Sequence, residues 1–274
     1  MPDDTNAQGF QIGGEPGDLF AGAADYYAQY RRPIPDAIVS FLVNQCGLDR
    51  SGRLLDVGCG TGQTCIPLAP YFAETTAIDA DRAMIETARK SNSKTNIQWT
   101  QMRAEEMTSD LGSFRMVIFG ASFHWMDRLR VSEIVYELLE LGGWLVISCP
   151  SELRSGTAPW EKEIQTVLTE EIGPQRRAGG GIYQQGELHQ DILQQSSFRT
   201  CQITSIAINE SWSIEEISGY LLSTSYASPA VLKEKQERLL HTLRRRLLAL
   251  NPAGQFSKDT THTVISAQKA SATS

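Results

Sequence analysis

Three features of the sequence predict an α/β fold built on a doubly wound, mostly parallel sheet. Short apolar runs alternate with stretches of helical spacing, first as β-α-β-α-β and then as β-α-β. The first run, Leu54-Leu55-Asp56-Val57, passes directly into a turn with glycines at 58, 60 and 62. The second run closes on an acidic side chain, Asp79. Glycines at alternate positions let a backbone turn sharply and approach a ligand closely, because no Cβ intervenes. A carboxylate at the end of the neighbouring strand is placed to accept both hydroxyls of a ribose. Together they predict a small-molecule cofactor site at the carboxyl end of the first strand.

The remaining elements follow in order. Residues 1–17 are polar and glycine-rich and read as a flexible tail. Phe20, Ala23, Ala24, Tyr27 and Tyr30 give helical spacing across Asp18–Tyr30, followed by Arg31-Arg32-Pro33, and a second helix covers Asp36–Cys46. After the glycine turn a helix is expected from near Gln63, with Pro67 in its first turn, where a missing N–H does little harm. Asp81 is the expected N-cap of a helix reaching about Lys90. The stretch Asn96–Met102 alternates as a strand, and Phe114–Gly120 is a continuous apolar run of the buried parallel type. Asp127 caps a helix through Leu139, which Gly142-Gly143 end before the strand WLVISC. Pro159–Ile172 reads as a helix, and the glycine-rich stretch from Gly173 to Gly181, holding Arg176 and Arg177, as a lid or a plain surface connection. Thr200–Asn209 is an alternating strand. Trp212–Leu222 is a helix opened by a capping box of Ser213 and Glu216. A long helix runs to Leu250 and stops at Asn251-Pro252, and THTVISAQKA is a last strand.

Composition narrows the function classes. The net charge of −7 disfavours a broad nucleic-acid footprint, which depends on neutralising phosphates. No apolar run approaches 18 residues, and the acidic opening is unlike a secretory leader, so a cytoplasmic protein without membrane or nucleic-acid partners is expected. The five cysteines are scattered without C-x-x-C, and the four histidines lack ligand spacing, so neither a disulfide frame nor a metal site is expected.

With G-x-G-x-G spacing and Asp79 in place, LLDVGCGTG resembles the first motif of the class I S-adenosylmethionine-dependent methyltransferases. The Tyr-rich segment ending in Arg-Pro and the FHW at residues 123–125 resemble the small-molecule, trans-aconitate-methyltransferase-like (type 11) branch. The segment at 122–125 does not resemble the Asn/Asp-Pro-Pro-aromatic motif of enzymes that methylate nucleic-acid amines. The likeness implies a Rossmann-like seven-stranded sheet of order 3-2-1-4-5-7-6 with a small helical cap. It spans about residues 18–270 as one domain, with 151–199 and 211–250 as lid or cap insertions. It implies S-adenosylmethionine as cofactor, contacted by Tyr26, Arg31, Asp56, Gly58, Cys59, Gly60, Asp79, Ala80, Met84, Ala104, Glu105 and Ser122. Among these, Arg31 would clamp the methionyl carboxylate, Asp79 the ribose, and Met84, Ala104 and Glu105 the adenine. Tyr27, Trp125, Tyr220 and Tyr226 are candidate acceptor contacts, and His124 is either a general base or a pocket-shaping residue. The implied activity is methyl transfer to an O or N nucleophile of a small molecule. A non-catalytic S-adenosylmethionine-binding module and a nicotinamide oxidoreductase are the competing readings. Arg31, Arg32, Arg154 and Arg176 would suit an acidic acceptor, and the Trp and Tyr content an aromatic or terpenoid one.

Overall fold

A computed structural model describes residues 20–92, 96–175, 177–178, 181–182 and 186–271. The expected tail at 1–17 lies outside the described residues, as does Arg176. Seven strands form the main sheet: β1 (Arg53–Val57), β2 (Glu74–Asp79), β3 (Ile97–Gln101), β4 (Phe114–Gly120), β5 (Leu139–Cys149), β6 (Gln202–Ser213) and β7 (Gln255–Gln268). Their order is 3-2-1-4-5-7-6, parallel except for β7, which runs antiparallel to both β5 and β6. The chain winds outward from β1 to β3, then returns to place β4 on the other side of β1. That reversal opens a crevice at the carboxyl ends of β1 and β4, where open α/β sheets bind ligands.

Alternation along the central strands explains how both faces are covered. Leu54, Met116, Ile118 and Val146 point to one face, beneath α2 (Asp36–Gln45) and α4 (Arg82–Ser91). Leu55, Val117, Phe119 and Ile147 point to the other, beneath α5 (Arg128–Leu138) and α7 (His189–Gln195). A third apolar cluster forms the cap. There α6 (Pro159–Ile172), α8 (Ile214–Leu222) and α9 (Gln236–Leu250) bury Ile164, Leu168, Ile217, Leu221, Leu243 and Leu247. The N-terminal helix α1 (Ala24–Tyr30) lies against α8, with the Tyr30 ring seated where Gly219 has no Cβ.

Three local expectations are corrected. The glycine turn leads into only a four-residue helix, α3 (Cys65–Leu68), continued as a 3-10 turn over Ala69–Tyr71. Pro67 and Pro70 lack the N–H that a longer helix requires, so the dipole offered to a ligand here is slight. β5 begins at Leu139, before the glycine pair, and absorbs the surplus residues in a register shift between Phe114 and Met116, with Gly142 at φ +75°. β6 extends through Trp212, which pairs with Phe256, so α8 starts two residues later than its aromatic suggested. The capping box is formed: Glu216 N–H donates to Ser213 Oγ (3.1 Å) and Ser213 N–H to Glu216 Oε2 (2.7 Å). Among the described residues no helix is long and apolar enough to cross a membrane.

Candidate cofactor and acceptor site

The glycine loop is fastened to the end of β2. Gly58 and Cys59 both donate their N–H to the Ile78 carbonyl (2.8 and 2.9 Å), and Gly60 N–H donates to Asp79 Oδ2 (2.8 Å). The other oxygen of Asp79 accepts from Asp81 N–H at 2.8 Å. The Asp81 side chain then caps α4 by accepting from Ala83 N–H. Burial pushes the Asp79 carboxyl up to about 6, against these two backbone donors, which favour its ionised form. Gly58 has φ +70°, and a Cβ there would lie 2.5 Å from Ser122 Cβ. Gly60 has φ +54°, and a Cβ there would meet the Tyr27 ring at 3.2 Å. Both positions therefore keep the loop flat beneath neighbouring segments. Ser122, on the turn after β4, is held by donating its hydroxyl to the Val57 carbonyl at 2.5 Å.

A crevice runs across these strand ends. Met84, Met102, Ala104 and Glu105 line one end, Asp79 and Ala80 its middle, and Gly58, Gly60 and Ser122 the other. An acidic acceptor midway between an apolar slot and a glycine floor fits a nucleoside with a polar extension. Phe20, Tyr27, Ala121 and Trp125 close this crevice and at the same time line a second cavity. Arg31, His124, Tyr220 and Tyr226 line that second cavity too. His124 is 5% exposed, its ring 5.0 Å from Trp125 and stacked 6.4 Å from His189.

Most of the residues singled out from sequence thus converge on two adjoining cavities, and three do not. Tyr26 packs into the cap cluster and stacks on Tyr30 at 6.4 Å; its neighbour Tyr27 faces the crevice. Asp56 is fully buried beneath the loop and lines none of the cavities described; neither carboxyl oxygen has a hydrogen bond of normal geometry. Burial raises its acid to about 7, Asp79's charge adds to the rise, and the Cys65 thiol and amide oppose it. Cys59 is buried and lies on a third cavity behind the loop. Arg31 borders the second and third cavities, separated from the cofactor crevice by Tyr27. It donates to Ser223 Oγ at 2.8 Å and lies 5.0 Å from the Tyr27 ring centre and 4.3 Å from that of Tyr220. Sequence reasoning passed over Phe20, Met102, Ala121 and Met126 as lining residues. Ala121 holds φ +55°, a conformation that no sequence pattern at this position announces.

Comparison with known proteins agrees with this geometry. Residues 54–143 match a family model described as a methyltransferase domain. A Dictyostelium discoideum protein named as a methyltransferase is 26% identical over 236 residues, covering 84% of this chain and 85% of that one. Malonyl-[acyl-carrier protein] O-methyltransferase of Bacillus cereus is 29% identical over 140 residues, 47% of this chain and 50% of the relative. Among solved structures, a methyltransferase from an antibiotic biosynthesis pathway of Anabaena variabilis superposes with a TM-score of 0.58 at 15% identity, over 87% of this chain and 99% of that one. The YcgJ protein of Bacillus subtilis gives 0.53 at 16%, over 86% and 99%. The glycine loop, the strand-end carboxylate, the 3-2-1-4-5-7-6 sheet and these matches agree: residues 54–143 form a methyltransferase domain, and the chain is an S-adenosylmethionine-dependent methyltransferase with S-adenosylmethionine as its cofactor.

Proposed function

We propose that this enzyme transfers a methyl group to an oxygen or nitrogen of a small-molecule acceptor bound in the second cavity. The observation that carries the proposal is the shared wall. Phe20, Tyr27, Ala121 and Trp125 border both cavities, so a ligand in each would meet at that wall. The cofactor supplies an electrophilic methyl group when bound. The residues that would hold it are Asp79 for the ribose, Met84, Ala80, Ala104 and Glu105 around the base, and Gly58, Gly60 and Ser122 at the far end. Arg31, 5.0 Å from the centre of the Tyr27 ring that lines both cavities, is the guanidinium we assign to its carboxylate, while Arg103 lines the crevice beside Ala104 and Glu105.

The protein's contribution is alignment of the two ligands at the shared wall, which can account for many orders of magnitude in rate. Trp125 and Tyr27 orient the acceptor from the shared wall, while Tyr220 and Tyr226, projecting from the cap, shape its far side. His124 lines the second cavity, which supports it as the general base for an acceptor that must lose a proton. The net charge of −7 supports a small acceptor over a nucleic acid.

Calorimetric titration of the purified protein with S-adenosylhomocysteine, with NADH in parallel, tests the site. Micromolar binding of the first and none of the second is expected. Acceptor screening with labelled S-adenosylmethionine then follows. Binding of NADH alone would refute the assignment of the crevice.

A further inference from the structure

The two edges of the main sheet differ in character. At one edge β3 has only five residues, and Arg89 of α4 donates to its Trp99 carbonyl. A short strand with a long basic side chain across it resists pairing with another chain. At the other edge β6 runs for 12 residues, and from Thr200 to Asn209 the sequence holds no charge and no proline.

Two contacts fix the direction of the backbone groups along β6. Ile214 N–H donates to the Gly254 carbonyl at 3.3 Å, in line with the register that pairs Trp212 with Phe256. The even-numbered residues of β6 therefore bond to β7, and the odd-numbered ones turn their N–H and C=O outward. The Ser211 carbonyl is one of these, and the Arg32 guanidinium donates to it. Among the described residues no hydrogen bond reaches the outward groups of Ile203, Ser205 or Ala207. All three residues are exposed, and Ile203, at 48%, is one of the few large apolar side chains so open to water. This open window ends at Arg32's contact on Ser211 and, at the other side, at Arg199, whose φ of +60° breaks the extended chain. Its midpoint is Ser205.

We propose that a second copy of this chain pairs antiparallel with β6, about a two-fold axis at Ser205, and continues the sheet across both molecules. In that register Ser205 exchanges backbone hydrogen bonds with the partner's Ser205, and Ile203 with the partner's Ala207. Every outward donor and acceptor from Ile203 to Ala207 is then satisfied. The exposed Ile203 side chain lies beside the partner's Ala207, and on the opposite face Ile206 lies beside the partner's Thr204. Charge selects both the occupant and its direction. Arg199 stands at one end of the window and Glu210 at the other. An antiparallel copy brings Arg199 next to the partner's Glu210 at both ends, whereas a parallel copy brings like charges together.

Sedimentation equilibrium of the full chain at about 100 µM tests this, because a strand edge forms an interface at the small end of the stable range. Twice the chain mass of 30.3 kDa is expected. Ser205→Lys and Ser205→Glu each set like charges opposite one another at the axis without removing a bond to β7. Each variant alone should dissociate at least about tenfold more readily than the wild type. Mixed in equal amounts they should associate again, since Lys then faces Glu. Hydrogen exchange of the wild type gives a readout that needs no variant: the outward amides of Ile203, Ser205 and Ala207 should exchange as slowly as the inward amides of Thr204 and Ile206. A monomer at about 100 µM overturns the proposal. So does a dimer that both variants leave intact, or one in which the three outward amides exchange fast, because another surface then holds it. Variants that dissociate, and stay apart when mixed, refute the Ser205 axis. Slow exchange of the outward amides in a monomer assigns the edge to a segment of the same chain and overturns the proposal as well.

Discussion

Replacing Asp56 with asparagine separates what the glycine-loop motif does for the fold from what it does for the cofactor. Asp56 is fully buried, its carboxyl oxygens lack hydrogen bonds of normal geometry, and burial, with Asp79 nearby, raises its acid from 3.8 to about 7. A carboxyl whose folded pKa is raised favours the folded state most below the unfolded pKa, and that advantage is lost as pH rises through the folded pKa. Between pH 4 and 7 the unfolded chain releases this proton while the folded chain retains it. At about 1.4 kcal/mol per pH unit, the loss approaches an upper bound of about 4 kcal/mol by pH 8. Asparagine has nearly the same shape and no proton to release. Asp56→Asn should therefore match the wild type near pH 4 and unfold at a higher temperature at pH 8, by up to about 10 °C for a chain of this size. Thermal unfolding of the ligand-free protein at half-unit steps from pH 4 to 8.5 measures this directly. S-adenosylhomocysteine affinity at pH 8 should change less than about threefold, since Asp56 lines none of the cavities described. A variant less stable than wild type at pH 8 would mean that the ionised carboxylate has donors, and the reasoning fails. A tenfold loss of affinity with normal stability would instead place Asp56 in contact with the cofactor.

Asp79→Ala should weaken S-adenosylhomocysteine at least about tenfold, about 1.4 kcal/mol, by removing an acceptor from the crevice and freeing the Gly60 and Asp81 amides. Unchanged affinity by calorimetry would sink the ribose assignment. Gly58→Ala combines a strained φ of +70° with a Cβ 2.5 Å from Ser122 Cβ. The strain costs about 1–2 kcal/mol and the displaced Ser122–Val57 hydrogen bond about 1 more. Both melting temperature and cofactor affinity should fall; a variant normal in both would show that the loop has room to relax. Lys258→Met breaks an ion pair in which Lys258 Nζ lies 2.9 Å from Glu161 Oε1, with side chains only 6% and 3% exposed. The loss should be about 3–5 kcal/mol in denaturant unfolding, with most of it recovered by adding Glu161→Leu. If the double variant is no better than the single, the pair's partners are not each other.

The strands and the glycine loop were legible because their signals are local. Alternation assigns faces, glycine marks the turn, and Asp79 marks a strand end beside it. Alternation also held the correction for Asp56. Residues 54 and 56 share a face, and Leu54 packs into the same cluster as Cys65, which places the carboxyl under the loop and away from the crevice. Pro67 and Pro70 similarly announced that α3 would be short. Nothing local decides between Tyr26 and Tyr27. Adjacent helical residues point about 100° apart, and the rotation of α1 is set by the docking of Tyr30 on Gly219, far away in sequence.

The acceptor cavity shows the same limit more fully. Its walls come from residues 31–32, 124–125, 150–152, 210–212 and 220–226, brought together only once β7 has carried the cap back across the sheet. In sequence, Arg31 and Arg32 are two available cations, and an acidic acceptor is as reasonable as an aromatic one. In the fold, Ser223, Glu216 and the rings of Tyr27, Tyr220 and Trp212 already engage them. The same two residues therefore change meaning between chain and structure. As free charges they would be equivalent; in the fold Arg32 is tied to Glu216 and the Ser211 carbonyl, while Arg31 donates its Nε–H to Ser223 and lies against the Tyr27 and Tyr220 rings, at the edge of the cofactor crevice.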